Sequence, residues 1–197
     1  MKARCAFILI VAVLSVLTQH SWSGTTSAAN SSQAASMERK LQHLESKAAQ
    51  PHPDPAPMEF TEQEINAYFE SGNVKLPAGV RSVAFQAQPG APTATSQVDF
   101  DQLKAGRNSY NPLLSIFTGL HDVIVTAHAY GAGGQGLVHV DSVSLDGVEI
   151  PRFVLELFIQ KYLKPKYPNI GLDSRFALPA RVDAATVGVH RVTVTQK

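Results

Sequence analysis

Two histidines and one aspartate have the residue types and spacing for metal chemistry. His128 and His139 lie in two successive segments of alternating apolar and polar residues, which predict neighbouring β-strands. A symmetric hairpin would place the histidines across from each other, with Asp141 on the same face. Because imidazole and carboxylate groups bind zinc, His128, His139 and Asp141 are the candidate ligands of a metal-assisted hydrolase. The alternative, which we favour, is that they are solvated or packed side chains and that the protein has no metal site.

Two further groups of charged residues could do chemistry. Asp99 and Asp101 flank Phe100 and could form a carboxylate dyad, although the polar face of a strand is the simpler explanation. A basic and aromatic segment could instead bind acidic headgroups. Its members are Lys161, Tyr162, Lys164, Lys166 and Tyr167. Lysines also gather at helix C-termini because they interact favourably with the helix dipole.

The sequence lacks the usual motifs of nucleotide binding and nucleophilic catalysis. GAGGQG at 131–136 matches G-x-G-x-x-G, but the residues that follow alternate as in a strand. A dinucleotide site requires a helix there, so we interpret the segment as a hairpin loop and expect no dinucleotide. There is no G-x-S-x-G, H-E-x-x-H or P-loop motif. We therefore expect no cofactor, and a binding or structural role rather than an enzyme.

The two segments that carry the histidines also predict which side of the sheet is buried. A symmetric loop over Gly131 to Gly136 pairs Ala129 with Val138 and Ala127 with Val140. One face of the hairpin is then apolar and small, which suits the close approach of a helix. Its members are Val123, Val125, Ala127, Ala129, Val138 and Val140.

A helix is predicted from Ile150 to Lys164, with Pro151 at its first position. Arg152, Glu156 and Gln160 form one narrow polar stripe, and apolar residues cover roughly 240° of the circumference. A helix of this kind needs partners on several sides, either a curved sheet or a lipid. The candidate ligand-binding residues on it and just beyond it are Phe153, Leu157, Phe158, Lys161, Lys164 and Lys166.

The N-terminal part of the chain has three predicted segments. Residues 1–29 have the layout of a secretory signal peptide, in which Lys2 and Arg4 precede an apolar run that begins at Cys5. Residues 30–57 are predicted to be a disordered, proline-rich tether with one short helix around Met37 to Ala48. The single folded domain, 58–197, begins with a helix that has a T-x-x-E capping box at Thr61.

Composition limits the remaining function classes. The 197 residues are 44% hydrophobic and 17% charged, which suits one globular domain with tails. The formal net charge of +1 gives no electrostatic footprint for nucleic acid. Cys5 is the one cysteine, so neither a disulfide framework nor a cysteine zinc site is expected. The leader predicts an exported protein, periplasmic or extracellular.

The order of these strings resembles a known layout. TEQEINAYF, VDFDQL, NPLLSIFTG, DSVSLDGVEIP, the apolar helix and LPARVDAATVGVHRVTVTQ are similar to exported bacterial proteins related to tubular lipid-binding (TULIP-like) domains. The resemblance covers about 58–197. It implies an α+β fold with a strongly curved antiparallel sheet wrapped around a long apolar helix. It also implies a lipid or amphiphile as the partner. The open alternatives are a structural or protein-interaction module of the cell envelope and the metal-assisted hydrolase.

Overall fold

The computed structural model describes residues 28–51, 55–105, 107 and 110–197. The predicted signal peptide, apart from its last two residues, lies outside this part of the chain, as do Cys5 and Pro53. Within these residues, four α-helices and nine strands make up an α+β fold. The helices are α1 Ala28–Ala48, α2 Glu62–Glu70, α3 Phe100–Leu103 and α4 Arg152–Phe158. The strands are β1 Met58–Thr61, β2 Val80–Gln86, β3 Thr93–Asp99, β4 Leu120–Ala132, β5 Gln135–Leu145, β6 Val148–Glu149, β7 Asp173–Ala177, β8 Val182–Gly188 and β9 Arg191–Gln196.

Every strand pairing is antiparallel, which confirms the predicted sheet type. The main path runs β1-β9-β8-β4-β3-β2, and β5 pairs with β4, β6 and β7. The long strand β4 has β5 along one edge. Its other edge pairs first with β3 and then, at Tyr130 and Gly131, with β8. The sheet therefore divides at β4 into two wings, β3-β2 and β8-β9-β1.

The sheet is not strongly curved or closed, so the prediction of a sheet wrapped around a helix was wrong. Its two end strands, β1 and β2, do not pair with each other. The long apolar helix is also absent. Only Arg152–Phe158 is α-helical, and a π-turn follows over Ile159–Leu163. Pro165 lies two residues after Leu163. A proline at this position prevents the helix from continuing. One face of this short helix is covered and the other faces solvent.

The capped helix α2 was predicted correctly. Thr61 accepts a hydrogen bond from the Glu64 amide at 3.2 Å, and the Glu64 carboxylate accepts one from the Thr61 amide at 2.9 Å. These two bonds satisfy donors that a helix N-terminus leaves free. Phe60 before the cap and Ile65 within the helix are both buried in the same core cluster, as expected for a hydrophobic staple.

Helix α1 belongs to the folded unit, which corrects the prediction of a largely disordered tether before Met58. The predicted short helix is present but begins at Ala28 and spans 21 residues. Met37 and Leu44 are fully buried against α2 and the β8-β9 wing. The apolar spacing in this segment looked too thin for a stable helix because the surface that covers it comes from residues far along the chain.

The β4-β5 hairpin has the predicted register next to its turn. Ala127 faces Val140, and Ala129 faces Val138. The turn itself is shorter than the predicted six-residue loop. It consists of Gly133 and Gly134, whose φ values of +60° and +75° fit a two-residue turn that side chains disfavour. A bulge after Thr126 then shifts the register in the rest of the hairpin.

Candidate functional site

A cavity of about 220 Å³ lies between the sheet and α4 and is partly open to solvent. We call it the main cavity. The buried face of the hairpin forms one wall, and α4 with the π-turn forms the opposite wall. Val123, Val125, Val138 and Val140 line it from the sheet, so the predicted inner face is the face that borders the cavity. The small, branched side chains of this face leave the volume unfilled.

An aromatic cluster closes one side of the main cavity. The rings of Phe117 and Phe158 lie 4.2 Å apart, and Phe100 is 5.5 Å from Phe158 between ring centroids. Tyr162 extends the cluster, with its ring 5.1 Å from that of Phe158. These contacts join α3, the 3-10 turn Pro112–Leu114 and α4 around the cavity. Edge and offset ring pairs of this kind add to the stability that burial alone provides.

The lining of the main cavity is almost entirely apolar. Its polar side chains are those of Ser174 and Tyr167. Ser174 Oγ donates to the Gly171 carbonyl at 3.1 Å, so its hydroxyl is already satisfied. Hydrocarbon is the chemistry that this lining favours. Catalysis would require charged or nucleophilic groups that converge on the bound molecule.

The predicted ligand-binding residues divide into two groups. Phe158 is buried and lines the main cavity. Phe153 is 55% exposed and Leu157 is 38% exposed, and both lie on the opposite, outer face of α4. The remaining three, Lys161, Lys164 and Lys166, are also exposed and do not line the cavity. Only Phe158 of the predicted set therefore contacts the cavity.

Sequence reasoning left out of the candidate site the other residues of α4, and of the chain after it, that form the cavity wall. Leu155, Ile159, Leu163 and Tyr167 line it. The spacing from 155 to 159 to 163 is four residues, which a π-turn aligns better than a regular α-helix does. The prediction, which assumed 100° per residue throughout, placed its polar stripe on the exposed side but left these cavity-lining residues out of the candidate site.

A second cavity of about 90 Å³ adjoins the first. We call it the minor cavity. It lies between α2 and the β8-β9 wing, and it is lined by apolar side chains that include Phe60, Phe85 and Phe176. Val138 lines both cavities. The side chain of Val138 therefore stands at the boundary between two apolar spaces on the same face of the sheet.

The candidate metal ligands do share one surface, but each histidine there contacts a carboxylate through Nδ1. His128 Nδ1 lies 2.7 Å from Asp141 Oδ2, and His139 Nδ1 makes a short contact with Asp173. Asp173 also accepts from Arg152 at 2.7 Å. No group of three or more His, Cys, Asp or Glu is arranged to hold a metal ion within the described ranges. The pairing of His128 with His139 across the two strands was predicted, whereas the contact of His139 with Asp173 on β7 was not.

The other candidate groups have structural roles. Asp99 caps α3 through the Gln102 amide and pairs with Arg81 at 3.1 Å. Asp101 pairs with Lys104 and accepts from the Gly119 amide. The glycine-rich segment is a hairpin turn followed by β5 rather than a helix, so the phosphate-binding geometry is not formed there.

His121 joins two loops beside the aromatic cluster. Its Nδ1 lies 2.6 Å from Asp146 Oδ2, its Nε2 lies 2.7 Å from the Thr118 carbonyl oxygen, and its ring is 5.9 Å from that of Phe100. The hydrogen bond to Asp146 raises the pKa of His121 above its ordinary value, against a smaller opposing effect of burial. The same contact lowers the pKa of Asp146. Both ring nitrogens face acceptors, which only the imidazolium can satisfy together.

Comparison with family models, curated proteins and solved structures found no match to this chain. Among the described residues, no helix is long and apolar enough to cross a membrane.

Proposed function

We propose that this protein is an exported, non-catalytic domain that binds a single-chain amphiphile, with the apolar chain in the main cavity. The observation that carries the proposal is the apolar lining of that cavity, formed by the valine face of the hairpin and the inner face of α4. The resemblance to tubular lipid-binding domains supports the same ligand class. The leader-like first 29 residues support export to the cell envelope.

The size of the main cavity limits the ligand. An apolar cavity of about 150 Å³ is enough to take up a molecule the size of benzene. Sites that hold drug-sized ligands usually exceed about 300 Å³. At about 220 Å³, the main cavity suits one short hydrocarbon chain, or the end of a longer one, rather than both chains of a phospholipid.

The experiment measures uptake of a fluorescent fatty acid by the full chain, with straight-chain fatty acids of increasing length as competitors. We expect a dissociation constant in the micromolar range, about −8 kcal/mol. Each buried methylene contributes about 0.8 kcal/mol, less the cost of association, so one chain is sufficient for this affinity.

Two variants locate the uptake in the main cavity. Val125→Phe and Leu163→Trp each add volume to its lining, one from the sheet and one from the π-turn. Both should weaken uptake at least tenfold, and both residues are only partly buried, which limits the disruption of folding. Val148→Phe is the control, because Val148 is 67% exposed and lies outside the cavity. Unchanged uptake in folded Val125→Phe and Leu163→Trp proteins, or no uptake by the unsubstituted chain, would leave the protein-interaction module as the better hypothesis.

A further inference from the structure

The outer side of α4 exposes two large apolar side chains beside its polar ones. Phe153 is 55% exposed and Leu157 is 38% exposed. The 3-10 turn Pro112–Leu114, which precedes α4 in the chain, and the residues just after it expose Leu113 at 46% and Ile116 at 43%. Single exposed apolar residues are ordinary on protein surfaces, but four on two elements that touch each other need an explanation.

These residues lie on two packed elements. The 3-10 turn Pro112–Leu114 contacts α4 directly, and Phe117 stacks on Phe158 beneath them. The exposed apolar residues therefore lie near the contact between the 3-10 turn and α4. We call them, together with the three lysines that follow on the chain, the docking surface. Its members are Leu113, Ile116, Phe153, Leu157, Lys161, Lys164 and Lys166.

The charges near this surface are mainly positive. Lys161, Lys164 and Lys166 are exposed, in the π-turn and directly after it. Arg152 on α4 pairs with two exposed carboxylates, Glu156 at 3.3 Å and Asp173 at 2.7 Å. Lys164 and Lys166 therefore add positive charge close to the apolar side chains of the docking surface.

We infer that the docking surface binds an anionic membrane surface. An apolar helix face with adjacent lysines is the composition of segments that lie in the membrane interface. Protein–protein interfaces are instead depleted in lysine, which makes a protein partner the poorer fit. Anionic lipid attracts each nearby lysine, and this attraction weakens as salt is added. The inference goes beyond ligand binding, because docking on this outer face does not depend on whether the main cavity is filled.

The experiment places an environment-sensitive NBD fluorophore on single-cysteine variants of the full chain. Phe153→Cys and Leu157→Cys, in a Cys5→Ser background, report on the docking surface. Val189→Cys is the matched control, because Val189 is 60% exposed and lies far from α4 in the sequence. Vesicles of phosphatidylglycerol and phosphatidylcholine should shift the fluorescence at positions 153 and 157 to shorter wavelength, whereas pure phosphatidylcholine vesicles and the label at 189 should show little change.

A charge variant tests the second part of the inference. Replacing Lys161, Lys164 and Lys166 by serine should weaken binding to the anionic vesicles about fivefold per lysine, whereas Lys75→Ser should leave it unchanged. An equal shift at all three labelled positions would overturn the inference. So would a vesicle-bound chain without a shift at position 153, or a shift that grows with protein concentration in the absence of vesicles. The fluorophore reports insertion independently of fatty-acid uptake, so failure of docking and failure of ligand binding remain distinguishable.

Discussion

Lys40 of α1 donates a hydrogen bond to Glu64 of α2 across 2.7 Å, and the side chain of Glu64 is only 5% exposed. The Ser36 hydroxyl donates to the same carboxylate at 2.6 Å. Glu64 therefore completes the cap of its own helix and also fixes a helix that precedes the predicted start of the domain. Burial alone would raise the pKa of Glu64, but the hydrogen bonds from Lys40, Ser36 and the Thr61 amide hold it below its usual value.

The first prediction concerns this contact between α1 and α2. Lys40→Met should lower the free energy of unfolding by about 1–3 kcal/mol, because it removes a donor from a buried carboxylate. Because the pKa of Glu64 is lowered in the folded protein, its stabilising effect is present above the unfolded value near 4.5 and is lost as the pH falls below it. Urea unfolding at neutral pH and near pH 4 should show a smaller acid-induced loss in Lys40→Met. Lys75→Met, at an exposed lysine outside both helices, is the control.

The second prediction concerns the alkaline side of the stability profile. The pKa of His121 is raised, so the stabilisation from its contacts with Asp146 and Thr118 is complete below about pH 6.5 and is lost as the pH rises through the folded pKa. The melting temperature should therefore fall between pH 6.5 and 9, and this fall should be smaller in His121→Gln. His43→Gln, a substitution of an exposed histidine on α1, serves as the control. An identical pH profile for His121→Gln and the unsubstituted chain would contradict the assignment.

The third prediction compares the two faces of the segment around α4. Phe158 is 5% exposed within the aromatic cluster, and Phe158→Ala should cost about 3–5 kcal/mol of stability. Gln160 is exposed, and Gln160→Ala should change stability by less than about 0.5 kcal/mol. Thermal or urea unfolding measures both. Equal effects would show that the buried face of α4 is assigned incorrectly.

The fourth prediction concerns the boundary between the cavities. Val138→Ala removes the side chain that lines both, so the bound chain could extend from the main cavity into the minor one. We expect the competition series to shift toward longer fatty acids, at a cost of about 1–3 kcal/mol in stability. Val143→Ala enlarges the main cavity alone and should not produce this shift. A chain-length preference that is the same in both variants would show that Val138 does not separate the two spaces.

The fifth prediction concerns export. The sequence predicts cleavage after Ser23 or after Ala29. Cleavage after Ser23 would leave α1 complete, including Ala29, whose carbonyl accepts a hydrogen bond from the Ser32 hydroxyl at 2.8 Å. We therefore expect protein from envelope fractions to begin at Gly24. Intact Met1 on cytosolic material, found by N-terminal sequencing, would contradict export.

The features that the sequence predicts correctly depend on short-range interactions. The capping box at Thr61 and the register of Ala129 with Val138 each involve residues close together in the chain, so periodicity and turn residues determine them. The contact of α1 with the last strand is made by Gln196, whose side-chain amide donates to the Leu44 carbonyl from 152 residues away. Local patterns cannot show such a contact.

The candidate site shows the same limit. The valine face of the hairpin was predicted, because alternation alone assigns it. The wall that α4 and the π-turn form was not predicted, because the π-turn at Ile159–Leu163 changes the spacing of the residues that face the cavity. In the sequence, Pro165 indicates only that the helix stops. Asp173, which engages His139 and Arg152, comes from a strand that the sequence did not predict.

The pairing of β1 with β9 has a consequence for how the chain folds. Met58 at the start of the sheet faces Val194 near the end of the chain. The last strand must therefore be synthesised before the first one has a partner, and the hydrogen bond from Gln196 to α1 forms only then as well. Contacts of such large sequence separation require the closure of a long loop, which slows folding. The central hairpin can form early, whereas the wing that carries both ends of the described chain is completed only when the whole polypeptide is available.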